Sequence, residues 1–176
     1  MQAAVKPRQF REDLQQGDTA DLWQRRVIIG LSLVGLGSMA TTSLLQTGVL
    51  KHLPDPPLPG FDSDKVNLSE AAYPLGIPDG TIGVLSYAAN LPLAAFGGAQ
   101  RAREQPWLPL LAAAKAVVDA AIAGWYFYQM PACEKAWCIY CLTAQVASLG
   151  ILALSLREAG QALAALRGDG RIGSHE

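Results

Sequence analysis

Long apolar runs, separated by short polar stretches, set the pattern of this chain. The run 27–50 carries no charge and is stopped on its N-terminal side by Arg25 and Arg26. A second uncharged run, 81–100, ends at Arg101 and Arg103. A third, 107–130, contains Lys115 and Asp119, and a fourth, 138–156, closes at Arg157. Each has about 19 to 24 residues, the length a helix needs to cross roughly 30 Å of hydrocarbon. The pattern predicts an all-α integral membrane protein with four spans. A tail of about 26 residues precedes the first run and offers no small-residue cleavage site, which argues against a signal peptide. The expected organisation is a tail at 1–26, a four-span domain at 27–157 with a loop at 51–80, and a second tail at 158–176.

The loop at 51–80 is long for a connection without a core of its own, which hints at function or at docking on the membrane helices. Its prolines, Pro54, Pro56, Pro57 and Pro59, predict an extended segment. The stretch 65–73 has helix character, limited by Pro74 and Pro78. The N-terminal tail and the last ten residues read as flexible ends.

Charge orients the spans. Four crossings place both termini and the 100–106 connection on one side, with Lys6, Arg8, Arg11, Arg25, Arg26, Arg101, Arg103, Arg157, Arg167 and Arg171. Only Lys51, Lys65 and Lys135 fall on the other side. This bias predicts cytoplasmic termini, with the 51–80 loop and the 131–137 turn facing outward. Trp23 and Trp107 would mark the inner interface, and Trp125, Tyr126, Tyr128 and Trp137 the outer one. The 51% hydrophobic content is ordinary, but 16% charged residues is below the usual level of about 25%. A net charge of −1 gives no electrostatic case for a nucleic-acid partner.

The three cysteines lie within nine residues: Cys133, Cys138 and Cys141. Cys138 and Cys141, three apart at the start of the fourth span, share a helix face. A helix N-terminus stabilises a thiolate, the species that attacks disulfides. The outer face is also where disulfides persist. A c-type haem site would need His after the second cysteine, where Leu142 stands. A zinc or iron–sulfur site normally needs four ligands, so no metal site is expected. A redox pair, a structural disulfide and inert buried thiols all remain open on these residues.

Trp137-Cys138-Ile139-Tyr140-Cys141, at the start of a last membrane helix in a four-helix protein of this size, resembles the vitamin K epoxide reductase family. Leu75-Gly76-Ile77-Pro78, followed by Gly83, resembles the helix entry of its bacterial members. The resemblance covers roughly residues 26–157. It implies a four-helix bundle around a quinone of the menaquinone, ubiquinone or phylloquinone type, capped by the outer loop, in a bacterial plasma membrane. It implies that Cys141 faces the quinone and that Cys138 exchanges with an extracytoplasmic thioredoxin-like dithiol protein. Asp79 falls near a position where some members place an amide that bonds a quinone oxygen, and Gln145 where some place a tyrosine. For Asp79 the plainer expectation is a helix N-cap.

The chain departs from the family in one respect. Most members carry two further cysteines in the outer loop, which relay electrons to the pair; this loop has none, and Ser63 stands near one of those slots. Either a partner thiol reaches Cys138 directly, or Cys133 acts as an auxiliary thiol, or Cys133 is a bystander. The expected activity is thiol oxidation coupled to quinone reduction. The alternative is a non-enzymatic membrane assembly or interaction protein that kept the fold. Lys115 and Asp119, four apart on one face, read as a mutually neutralising pair with Lys115 snorkelling inward, or as a proton path or quinone contact. A transporter would rest on that pair alone. His52 reads as a surface residue, and Asn90 as a packing residue that needs a hydrogen-bond partner.

Overall fold

A computed structural model describes residues 20–172, together with Arg8, Arg11, Glu12 and Gln15. The described residues are helical, without a β-strand. Most of the N-terminal tail and residues 173–176 lie outside them. Four long helices make up the body: α1 (Ala20–Gln46), α3 (Asp79–Ala95), α5 (Trp107–Gln129) and α6 (Ile139–Ile172). Short helices α2 (Ser63–Asn67) and α4 (Arg101–Glu104) lie in the connections. The helix α1 packs on α3 and on α6, and α5 packs on α6.

Three segments are long and apolar enough to cross a membrane: Asp21–Gln46, Trp107–Glu134 and Ile139–Arg167. Their outer faces carry exposed Leu33, Val34, Val117, Val118, Val146 and Leu149. Such continuous apolar exposure suits lipid as solvent. The second predicted span is the exception. The helix α3 covers 17 residues, or about 25 Å, where 81–100 was expected to be helical throughout.

The ends of α1, α3 and α5 have identifiable causes. The helix α1 stops at Gln46 rather than running to 50, because Gly48 adopts a left-handed φ of 78°. Gly48 N donates to Leu45 O and Val49 N to Leu44 O, both at 2.9 Å, the hydrogen-bond pair of a glycine-terminated helix. The helix α3 stops at Ala95, ahead of Gly97 at φ 87°. The guanidinium of Arg25 takes up the carbonyls released there. Its Nε donates to Ala94 O at 2.7 Å, its Nη1 to Gly98 O at 3.0 Å, and its Nη2 to Ala95, Phe96 and Gly97 O at 3.1–3.3 Å. The helix α5 runs into a π turn at Met130–Glu134, ended by Lys135 in the left-handed region. The helix α6 continues past Arg157 to Ile172, where the sequence reading expects a tail. Ala159 and Ala162 are buried on it, and Glu158 pairs with Arg101.

The core between the helices is built from Ile28, Tyr87, Ala94, Ala116, Ala144, Ala147 and Ile151. Its small residues let the helix axes approach closely. The 51–80 loop is folded onto the helix heads. Asp62 caps α2 by accepting from Lys65 N at 2.9 Å. Asp55 holds Ser63 through Ser63 N at 2.7 Å and the Ser63 hydroxyl at 2.5 Å. A parallel bridge joins Phe61 to Trp137, with Trp137 N donating to Gly60 O at 2.8 Å and Asp62 N to Trp137 O at 3.0 Å. Tyr140 OH donates to Pro54 O at 3.0 Å. The loop is therefore fastened to the head of α6 by backbone bonds. Trp125 and Tyr128 are exposed as interface anchors would be, whereas the Trp137 ring packs on Phe127 at 5.4 Å.

Candidate functional site

Cys138 and Cys141 are joined as a disulfide, with Cα atoms 5.3 Å apart. Cys138 directly precedes α6, and its Sγ accepts from Cys141 N at 3.0 Å, where a capping side chain would accept. Three-residue spacing at a helix start thus brings the sulfurs together and aims a backbone N–H at one of them. Cys138 is fully buried, while Cys141 is half-buried and borders a cavity.

That cavity has a volume of about 400 Å³ and lies between the long helices under the loop. Its walls include Met39, Ile82, Ile122 and Tyr126. The candidate site residues Cys141, Asp79 and Gln145 border it, as does Asp119. Cys138 lies behind Cys141. Cys133 is exposed and free, carried on the π turn and outside the cavity lining.

Asp79 is not the N-cap of α3; Pro78 holds that position and Asp79 opens the first turn. Its Oδ1 accepts from Gln46 Nε2 at 2.6 Å. Gln46 Nε2 also reaches Asn67 O at 3.1 Å, and Gln46 Oε1 accepts from Gly80 N at 3.0 Å. Gln145 is buried, and its Oε1 has no hydrogen-bond partner. The same holds for Gln129 Oε1, also on the cavity. Two orphan amide oxygens around one cavity need a donor from a bound molecule or water.

Lys115 and Asp119 form their expected pair, but Lys115 does not simply snorkel inward. It also donates to Ser86 Oγ at 2.9 Å, and Ser86 donates to Asp119 Oδ1 at 2.8 Å. Asp119 and Ser86 border the cavity at its inner end. Tyr87 OH donates to Ala144 O at 2.5 Å and sits 2.6 Å from Ser148 Oγ. His52 is on the surface, 2.8 Å from Asp64. Asn90 is buried and its Nδ2 lacks the partner it was expected to have.

Sequence reasoning missed Gln46, Asn67 and Gln129. Asn67 Nδ2 donates to Cys138 Sγ at 3.2 Å. The only sequence signal for it was its place four residues after Ser63 on a short helix.

Chemically, the site is a disulfide at a helix head. One of its sulfurs opens onto a mostly apolar cavity that carries a few convergent polar groups, a form typical of small-molecule sites. The family model described as the Vitamin K epoxide reductase family matches residues 26–156 of the chain. Among curated proteins no match is found.

Proposed function

The chain belongs to the vitamin K epoxide reductase family, and on that premise we propose that it is a membrane thiol–quinone oxidoreductase. The dithiol of Cys138 and Cys141 is oxidised to the disulfide while a quinone takes two electrons and two protons and becomes the quinol. The observation that carries this reading is the placement of Cys141 on a cavity of about 400 Å³ among the membrane helices. The volume lies within the usual range for small-molecule sites, roughly 300–1,000 Å³. The donor set suits a quinone. The orphan oxygens of Gln129 and Gln145 can accept from quinol hydroxyls, and their amide N–H groups can donate to quinone oxygens. Asp79, half-buried at the outer end, can serve as a third polar contact. The quinone, when bound, supplies the electron acceptor; the chain supplies a water-poor pocket and holds Cys141 at its wall.

In this reading the unit 27–157 works as a four-span bundle, with α3 as a short second crossing and the loop 51–80 as an extracytoplasmic cap. The basic residues put the tails in the cytoplasm and the cysteine pair outside, in a bacterial plasma membrane. Reducing equivalents come from a thioredoxin-like dithiol by thiol–disulfide exchange. Because Cys138 is fully buried, exchange at its sulfur requires the segment 60–67 to lift. The dithiol protein purified in detergent should reduce menaquinone or ubiquinone analogues, and Cys141→Ala should abolish quinol formation. Failure of the wild-type dithiol to form quinol overturns the reading.

The rival reading is a non-enzymatic membrane assembly protein. The same burial of Cys138, with no cysteine in the covering loop, favours it. Thiol mapping of protein from cells separates the two. A Cys138–Cys141 disulfide that turns over with quinone supply supports the enzyme. Thiols that stay free and unreactive until the protein unfolds support the scaffold.

A further inference from the structure

Asn67 is 2% exposed and sits between the loop and the cysteine pair. One of its N–H groups donates to Ser63 O at 2.7 Å. A backbone carbonyl can only accept, so this bond fixes which end of the amide is nitrogen. The second N–H donates to Cys138 Sγ at 3.2 Å. Cys141 N donates to the same sulfur at 3.0 Å. The oxygen end of the amide, Oδ1, faces Cys141 Sγ at 3.6 Å. One sulfur therefore meets two donors, and the other meets an acceptor.

We propose that Asn67 is a positioning residue that makes the reduced pair asymmetric, holding negative charge on Cys138 and the proton on Cys141. Hydrogen bonds to an ionised acceptor are shorter and stronger than those to a neutral one, so the two N–H donors favour a thiolate at Cys138. The carbonyl oxygen of Asn67 accepts from an S–H group and repels a thiolate, which favours the thiol at Cys141. Both contacts gain strength when the disulfide opens. Asn67 thus stabilises the dithiol form and makes the disulfide a stronger oxidant. The loop that lacks relay cysteines still acts on the pair, through an amide. The backbone O of Asn67 also accepts from the Gln46 amide that binds Asp79.

The inference rests on Cys138 and Cys141 being a reversible redox pair, and its test needs no quinone. The full chain in detergent is equilibrated in dithiothreitol redox buffers. There the reagent dithiol gives two electrons and two protons to the protein disulfide and closes to its own cyclic disulfide. Alkylation and mass spectrometry then give the ratio of dithiol to disulfide. Asn67→Leu should shift this equilibrium about tenfold towards the disulfide, the low end for a hydrogen bond to a charged group. For a two-electron couple that is about 30 mV. Asn67→Asp keeps the shape but replaces the N–H donor with a charged oxygen 3.2 Å from Cys138 Sγ, so it should shift the equilibrium further the same way. Wild-type ratios in both variants overturn the inference. If the variants fail to fold, the side-chain amide resonance of Asn67 in the 15N-labelled wild type serves instead. It should move when the disulfide is reduced, and an unchanged resonance overturns the proposal. A shifted equilibrium in a protein that reduces no quinone supports the role of Asn67 and sinks only the oxidoreductase reading.

Discussion

A single amide at the C-terminal end of α1 ties together three parts of the half that carries the loop. Gln46 donates to the Asn67 carbonyl and to the Asp79 carboxylate, and accepts from Gly80 N. Replacing it with Leu leaves those groups without their partner, which should cost about 2 kcal/mol or more. The expected result is a lower melting temperature for Gln46→Leu in detergent; an unchanged one removes this role.

At the scale of elements, close approach and buried charge decide the packing. A Cβ at Gly80 would meet Gln46 Oε1 at 2.7 Å, and both Ser43 N and Thr42 Oγ1 at 2.8 Å. Two of these contacts lie on α1 close to its backbone, so Gly80→Ala should force α1 and α3 apart at a cost of about 1–3 kcal/mol. Thermal unfolding checks this, and tolerance of the alanine would show that the contact is loose. On the opposite half, Arg101 and Glu158 form a two-pronged pair at 2.6 and 2.7 Å, with side chains 2% and 3% exposed. Arg101 Nη1 also donates to Leu93 O and Phe96 O. Glu158→Ala strands a buried guanidinium and should cost about 3–5 kcal/mol. The double replacement Arg101→Leu with Glu158→Leu should recover much of that loss in the same melting measurement. Additive losses would mean that the two residues act independently. This pair, with Ala159 and Ala162 buried beside it, accounts for α6 continuing past Arg157 rather than ending there.

At the scale of the whole molecule, the loop acts as a cover over half of the cysteine pair. It is fastened by the Phe61–Trp137 bridge and by the hold of Asp55 on Ser63. In the reduced protein, a water-soluble alkylating reagent should label Cys133 first, Cys141 more slowly and Cys138 last. Asp55→Ala loosens the cover and should speed labelling of Cys138 with little change at Cys133. Mass spectrometry of timed samples reads both. Equal initial rates at Cys138 and Cys133 in the wild type would show that the loop does not cover the site. In the family arrangement that the chain resembles, loop cysteines carry electrons to the pair. Here the same loop carries no cysteine, and its polar contact with the pair is made by Asn67.

Much of this protein was legible from sequence, because the features concerned are local. Uncharged runs of membrane length mark helices wherever they occur, and three of the four expected runs appear as helices long and apolar enough to cross a membrane. The Cys138–Cys141 spacing places two sulfurs on one helix face, whatever surrounds them. The family was readable because its motif is contiguous around those cysteines. The tertiary structure decided what depends on distant partners. The end of α3 at Ala95 depends on Arg25, about 70 residues earlier, whose guanidinium takes the freed carbonyls. The burial of Glu158, just past the expected end of α6, depends on Arg101, and the asymmetry of the cysteine pair's contacts on an asparagine 71 residues away. Hydropathy is a property of each residue and can be read along the chain. A hydrogen bond to a buried group is a property of a pair, and only folding brings that pair together.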